Sequence, residues 1–322
     1  MNNTSKVSQL IIRLANIMIL LMILVCVTSC KNEGATYEES TFTIDASPSA
    51  ADYDNSVNVL TPVFNSSKAF GNEYITMDSS NSSEGYFTIK YLGNRVKAKI
   101  LFTGPGQTTY SYCIYPNEPV VIPITDGDGS YEITVYENIQ DTEYALCFTT
   151  NINVTIENTF GPFLYPNIYV DFNKDTKAVE VGKEITGEST SQLNAVYDIY
   201  SYITDTLTYD YEKAETAESG YIPDVDDILE SGKGICLDYA ALMCTMLRSQ
   251  GIPARMEIGY AGAEYHAWLS VYTEDSGWID NLIEFNGTDW TLMDPTFASN
   301  QSAKDFKKFF KNQSNYIPLY NY

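Results

Sequence analysis

The stretch of sequence that decides the fold is residues 232 to 253, which read GKGICLDYAALMCTMLRSQGIP. Two glycines precede an apolar run, and Gly251 followed by Pro253 closes it, which is the pattern of a helix with a defined start and end. The helix is predicted to begin at Cys236. A thiol at a helix start is close to unpaired main-chain N–H groups and to the positive end of the helix dipole, and both favour the thiolate.

A partner for this thiol is expected because Asp238, two residues later, carries a negative charge that opposes thiolate formation. A strongly lowered thiol pKa therefore requires a cationic neighbour. The chain contains one histidine, His266. It is the sole imidazole that could take this part.

Three strands are predicted after the cysteine helix, over residues 254–260, 265–272 and 290–294. His266 lies on the second strand. Asp294 ends the third, where its carboxylate could orient an imidazole. Cys236 and Asp294 also have structural interpretations. A cysteine that heads an apolar stripe is usually a core residue, and an Asp-Pro pair after a strand usually forms a turn.

The three candidates belong to a set of landmarks that occur in a fixed order along the chain. These are GIC at 234–236, LRSQGIPAR at 247–255, HAW at 266–268 and DPT at 294–296. Together they resemble the transglutaminase-like superfamily, a branch of the papain-like cysteine enzymes, over roughly residues 190 to 300.

The resemblance implies a role for each candidate. Cys236 would be the nucleophile, His266 its base and later the general acid, and Asp294 the group that orients His266. Asp280 and Asp289 are weaker candidates for the place of Asp294. The resemblance also implies an α+β fold, with the cysteine helix packed on an antiparallel sheet.

The first thirty residues have the layout of an export signal. Lys6 and Arg13 precede an apolar run at 17–25, and small residues stand directly before Cys30. This resembles the lipobox of bacterial lipoproteins, which implies a signal peptide over residues 1–29 and lipidation of the Cys30 sulfur. An uncleaved anchor helix is the alternative, but the uncharged span is shorter than a bilayer core requires. The protein is expected to be extracytoplasmic and lipid-anchored to the bacterial cell membrane.

The rest of the chain divides by composition. Short alternating runs of aromatic and β-branched residues, separated by turn residues, predict an antiparallel β-sandwich-like domain ahead of the cysteine helix. The fold class is therefore α+β, a papain-like transglutaminase core preceded by an all-β sandwich-like domain. The predicted segments after the signal are a flexible tether at 30–70, the β-sandwich-like domain at 71–157, an interdomain linker at 158–188 and the transglutaminase-like domain at 189–322. Helices are expected to begin near Thr190 or Ser191 and again after Pro223.

Charge and ligand chemistry limit the partners. The chain has 42 acidic and 19 basic residues, a formal net charge of −23, which excludes nucleic acid as a natural partner. Because there is no polybasic patch, contact with a membrane is expected through the lipid anchor only. One histidine and scattered cysteines do not form a clustered set of metal ligands, so no metal site is expected. The acidic stretch 125–130 predicts a hairpin turn rather than a calcium-binding loop. No cofactor is expected.

The remaining cysteines raise the question of a disulfide. Cys236 and Cys244 lie too far apart on one helix to be joined, so Cys244 is predicted to be a packing residue. Cys113 and Cys147 both fall in predicted strands, and outside the cytoplasm a bond between them would be allowed. The sequence leaves that bond open.

The predicted function is that of a surface-anchored thiol enzyme, which acts on amide bonds of proteins or cell-wall peptides through a thioester. Water as acceptor gives a cysteine peptidase or deamidase, and an amine gives a protein-glutamine transglutaminase. Both acceptors stay open. The alternative is a non-catalytic surface binding module that retains the fold, against which the completeness of the catalytic trio argues.

Overall fold

The computed structural model describes residues 53–218, 220–261, 263–283 and 316–322. They belong to one compact unit that begins at Ser49. The strands are β1 (Phe70–Gly71), β2 (Ile75–Asp78), β3 (Tyr86–Tyr91), β4 (Ala98–Thr103), β5 (Thr109–Ile114), β6 (Pro119–Pro123), β7 (Gly129–Gln140), β8 (Glu143–Val154), β9 (Thr208–Tyr209), β10 (Lys233–Gly234), β11 (Ala254–Ala261), β12 (Glu264–Thr273), β13 (Gly277–Ile283) and β14 (Tyr316–Asn321). The helices are α1 (Lys177–Ile185), α2 (Gln192–Thr206), α3 (Tyr211–Thr216), α4 (Val225–Ser231) and α5 (Cys236–Ser249).

The N-terminal part is built from two antiparallel four-stranded sheets, with strand orders β1-β2-β3-β6 and β5-β4-β7-β8. Alternation along β4 explains the layers, because Ala98, Ile100 and Phe102 are buried while the residues between them are half-buried. The two sheets meet through aromatic side chains, and the rings of Phe87 and Phe102 are 5.1 Å apart. This is the sandwich that the alternating pattern predicts.

The acidic stretch at 125–130 was wrongly predicted as a hairpin turn. It joins β6 to β7, which lie in different sheets, so it crosses from one sheet to the other. Its carboxylates fasten the crossing. Asp126 Oδ1 accepts a hydrogen bond from the Tyr110 hydroxyl at 3.0 Å, and Asp128 Oδ1 accepts one from the Ile156 N–H at 2.7 Å.

The described part of the predicted tether is residues 53–70, of which 53–69 have no helix or strand and Phe70 begins β1. It is nevertheless fixed to the folded chain by its main chain. The N–H of Asn58 donates to the Ser249 carbonyl at 2.7 Å, and the N–H of Asn65 donates to Asp78 Oδ2 at 2.7 Å. Hydrogen bonds with distant residues thus hold this stretch, and its composition does not reveal them.

The predicted linker, residues 158–188, contains the helix α1. One face of this helix is buried and packs on α5, since a Cβ added at Gly182 would lie 3.2 Å from the Met246 Cβ. This helix is only 9 residues long and contains a glycine, and it was not predicted. The segment is part of the support of the cysteine helix.

The C-terminal part places helices against a third sheet, of order β13-β12-β11-β14. The predicted helix starts are confirmed, because Ser191 caps α2 by accepting the Asn194 N–H at 3.1 Å and Asp224 caps α4. Strands β11 and β12 match two predicted strands. The third, at 290–294, lies outside the described residues, whereas β13 and β14 had not been predicted.

No helix in the described ranges is long and apolar enough to cross a bilayer. The predicted signal peptide at 1–29 and the predicted lipidation site Cys30 lie outside those ranges. Lipidation therefore stays a prediction.

Candidate active site

Cys236 is the first residue of α5, as the sequence predicts. Its side chain is half-buried, whereas residues 238–249 of the helix are all buried. The N–H of Ile235, the residue before the helix, donates to Asp238 Oδ2 at 2.9 Å, which fixes the first turn. The thiol thus projects from the start of a helix whose body is held in the core.

The surroundings of the sulfur favour the thiol in the resting protein. Burial raises the pKa of Cys236, and the nearby Asp238 carboxylate adds to the increase. Main-chain N–H groups of Ala267 and Leu237 hydrogen bond to the sulfur and act in the opposite direction. The helix start alone therefore does not produce a thiolate, and a cationic partner is still required.

His266 lies on β12, where it pairs with Gly259 of the neighbouring strand β11. The next residue, Ala267, is the one whose N–H bonds the Cys236 sulfur. Cys236 and His266 line the same pocket, whose volume is about 790 Å³. The structure therefore brings two of the three predicted catalytic residues to one pocket.

The predicted third member, Asp294, lies outside the described residues, as does Asp289. Asp280 is described, and its Oδ1 lies 2.9 Å from the Nη2 of Arg255. It follows Ile279, which pairs with Val271, five residues beyond His266 on β12. That spacing corresponds to roughly 16 Å of strand, so Asp280 is too far along the sheet to orient His266.

Asp238 forms a second, unexpected cluster beside the nucleophile. Its side chain is fully buried, and its Oδ2 lies 2.6 Å from the Nζ of Lys213. The Tyr221 hydroxyl donates to the other carboxylate oxygen at 2.7 Å, and Lys213 also donates to that hydroxyl at 2.7 Å. The charge that opposes the Cys236 thiolate is thus paired with a cation.

Gly234 allows this cluster to form. A Cβ at this position would lie 2.7 Å from the Asp238 Cβ, closer than side chains approach one another. Absence of a side chain at Gly234 lets the carboxylate turn back over the helix start. Close packing against Asp238 therefore explains why a glycine is needed at position 234.

Arg248 ties α5 to its surroundings. Its guanidinium is fully buried and donates to three main-chain oxygens: to Ala254 from Nε at 3.0 Å and Nη2 at 2.8 Å, to Tyr165 at 2.8 Å and to Tyr322 at 2.8 Å. Burial lowers the pKa of Arg248. One side chain therefore joins the cysteine helix to β11, to the chain end after β14 and to the segment after the sandwich.

The four described cysteines are all free thiols. Cys113 is on β5 and Cys147 on β8, and the strands β4 and β7 lie between them. Three strand spacings amount to about 14 Å, twice the Cα separation that a disulfide tolerates. Cys244 is buried at the contact with β11, as predicted for a packing residue.

Comparison with known proteins agrees with this geometry. Residues 179–281 match the family model of the transglutaminase-like superfamily. This segment is a transglutaminase-like core. The predicted α+β fold class is confirmed, and the match begins within α1, earlier than the resemblance in the sequence had suggested.

The curated relatives cover this chain unevenly. UPF0252 protein MJ1282 of Methanocaldococcus jannaschii is 25% identical over 232 residues, which is 64% of each chain. A protein-glutamine gamma-glutamyltransferase of Pseudomonas aeruginosa is 36% identical over 70 residues, which is 17% of this chain and 10% of the relative. The chain thus spans less than two thirds of either relative.

Among solved structures, a proposed cysteine protease from Cytophaga hutchinsonii covers 60% of this chain and 77% of its own, with 16% identity and a TM-score of 0.34. The similarity to the transglutaminase-like superfamily rests on the match at residues 179–281. At the level of the family, the transglutaminase-like core supports a thiol enzyme.

Reasoning from sequence missed the residues around the trio. Lys213 and Tyr221 precede Asp238 by 25 and 17 residues, and no local pattern indicates that they meet it. Lys97 and Lys99 of the sandwich also line the pocket of Cys236. The alternating pattern predicts a strand at these residues, but it does not predict which part of the protein the two lysines face.

Proposed function

We propose that this chain is a surface-anchored thiol enzyme that acts on amide bonds of proteins or peptides through a thioester on Cys236. The observation that carries the proposal is the pairing of Cys236 and His266 in one pocket, with the Ala267 N–H on the sulfur. The transglutaminase-like core provides the family context.

The proposed reaction has two halves. His266 takes the thiol proton, the Cys236 sulfur attacks the amide carbonyl carbon, and the C–N bond breaks as His266 returns that proton to the leaving amine. Water or a second amine then attacks the thioester, and the sulfur leaves as the thiol. The N–H of Cys236 is a candidate donor to the oxyanion. Asp294 is proposed to orient His266.

The nucleophile is tested by alkylation with iodoacetamide near neutral pH, with the modified cysteine identified by peptide mass spectrometry. Rapid, stoichiometric modification of Cys236 that is lost in His266→Ala is expected, because burial raises the pKa of the thiol when no imidazolium is present. Cys113→Ser is the matched control, since Cys113 lines the same pocket. Slow labelling that does not depend on His266 would favour the non-catalytic binding module instead.

The acceptor is tested by incubating glutamine-containing peptides with and without a primary amine and measuring product masses. Peptide cleavage or conversion of glutamine to glutamate indicates water as acceptor. Incorporation of the amine indicates transglutaminase activity. Cell-wall peptides belong in the same panel, because the proposed location outside the cytoplasm exposes the enzyme to them.

Anchoring is a separate part of the proposal. It rests on the small residues before Cys30 and the apolar run at 17–25. We expect metabolic labelling with a palmitate analogue to modify the protein and Cys30→Ser to abolish the label. Absence of label from the parent protein in the membrane fraction would instead support an uncleaved anchor helix.

A further inference from the structure

The pocket of Cys236 and His266 has a second wall, which comes from the β-sandwich. It is lined by Lys97 directly before β4, Lys99 on β4, Ser111 and Cys113 on β5, and Tyr144 on β8. These residues lie on the outer face of the β5-β4-β7-β8 sheet, which in a free-standing sandwich faces only solvent. The sandwich is therefore part of the cleft rather than a spacer behind it.

The two walls are held together by tyrosines. The ring of Tyr322, at the end of the chain after β14, lies 5.8 Å from Tyr110 and 6.1 Å from Tyr112 of β5. Tyr169 completes the cluster, with its ring 4.7 Å from that of Tyr322. A further hydrogen bond runs from the Thr125 hydroxyl to the Asn321 carbonyl at 3.2 Å. The cleft thus has a packed floor.

Two lysines stand out on the sandwich wall. Lys97, directly before β4, and Lys99 on β4 are two residues apart and line the same pocket, with Cα atoms roughly 7 Å apart. Lys99 Nζ lies 4.8 Å from the centroid of the Tyr144 ring, which holds it over the pocket. Within the described ranges, neither lysine forms a salt bridge.

The charges of the rest of the pocket do not cancel this arrangement. Asp141 and Glu218 also line it, but both are exposed, and the Asp141 carboxylate accepts a hydrogen bond from Gln140 Nε2 at 3.4 Å. Lys97 and Lys99 are half-buried. Partial burial of two adjacent cations is unfavourable unless an anion joins them.

We propose that Lys97 and Lys99 form a subsite of the cleft that binds a carboxylate of the substrate, so that the enzyme acts on acidic peptides. The inference rests on the proposed function in one respect, namely that a peptide substrate lies across Cys236. The site itself is independent of thiol chemistry. The sandwich is then a specificity wall, which selects a substrate that carries a negative charge away from the amide that reacts.

The proposal is tested by binding to the full chain carrying Cys236→Ala, in which no acyl transfer can occur. Three pentapeptides are compared by isothermal titration calorimetry at low salt. The first is blocked at both ends and contains one glutamate, the second has glutamine in its place, and the third is the glutamine peptide with a free C-terminal carboxylate. The third peptide distinguishes a side-chain carboxylate from a terminal one.

A carboxylate-bearing peptide is expected to bind roughly threefold to tenfold more tightly than the blocked glutamine peptide. The double variant Lys97→Gln/Lys99→Gln should lose this preference. Lys174→Gln should keep it, because Lys174 is exposed and paired with Asp175. Equal binding of all three peptides, no binding of any, or a preference that survives the double variant overturns the proposal. Failure of Cys236 to react with iodoacetamide would overturn only the proposed function.

Discussion

The ammonium of Lys213 lies 2.6 Å from the Oδ2 of Asp238, a fully buried carboxylate two residues after Cys236. Burial raises the pKa of Cys236 and the Asp238 carboxylate adds to the increase, and Lys213 is the cation that pairs with this carboxylate. Tyr221, whose pKa is raised chiefly by burial and further by its hydrogen bond to Asp238, remains a donor to the same carboxylate. The cluster therefore sets the potential in which the thiolate forms.

Replacement of Lys213 by methionine should raise the pKa of Cys236, because Asp238 is then left without its cation. We expect the midpoint of the alkylation rate against pH to move upward by up to about one unit, and the rate near pH 7 to fall accordingly. The measurement is the pH dependence of iodoacetamide labelling at Cys236.

Lys177→Met is the matched control, since Lys177 is largely exposed and pairs with Glu230 at 3.5 Å, away from the thiol. It should leave the midpoint unchanged. A Lys213→Met profile that coincides with the parent would mean that Lys213 only supports the local fold, which thermal unfolding of the same variant would reveal.

The sequence predicts contacts of this site well when the two contacting residues are close along the chain, and poorly when they are far apart. The start of α5 at Cys236 follows from glycines and a proline within a few residues, and β11 and β12 follow from local alternation. No local sequence pattern predicts the contact between Lys213 and Asp238. Nor does one predict β14, an exposed edge strand with Pro318 opposite Gly259, which pairs with β11 from far along the chain.

The sandwich illustrates the same limit. Its inward residues were predictable because burial imposes an alternating pattern, and Phe102 and Tyr110 fit it. The outward residues carry no such constraint. That Lys97 and Lys99 face the catalytic pocket depends on how the chain end packs on β5, which a strand pattern does not encode.

Gly234→Ala tests the packing of the helix start. The new Cβ would lie 2.7 Å from the Asp238 Cβ, and one of the two must move. Destabilisation of roughly 1–3 kcal/mol is expected from such overpacking, together with slower labelling of Cys236 as the carboxylate shifts. Urea unfolding and iodoacetamide rates measure the two effects.

Gly187→Ala is the comparison, because nothing lies within 4 Å of a Cβ at that position. Its stability should change by less than about 0.5 kcal/mol. Equal behaviour of the two variants would show that the close approach at Gly234 is relieved at no cost.

Arg248→Met tests the guanidinium that joins α5 to β11 and the chain end. The substitution removes the guanidinium donors from the carbonyls of Ala254 and Tyr165, so a loss of roughly 2–5 kcal/mol is expected in urea unfolding. Arg95→Met, at an exposed position, should stay within about 0.5 kcal/mol. A small effect of Arg248→Met would indicate that water replaces the lost donors.

The cysteine thiols are expected to differ in their rates of alkylation. Burial raises the pKa of Cys244 to about 12 and that of Cys147 to about 11, so both are almost wholly protonated at pH 8. Because thiolates are the species that react, native protein should be alkylated at Cys236 and Cys113 well before these two. In denaturant, all four should react at similar rates, with or without prior reductant, since Cys113 and Cys147 are separated by two strands. A reductant-sensitive peptide linking Cys113 to Cys147 would contradict the strand order of the sandwich.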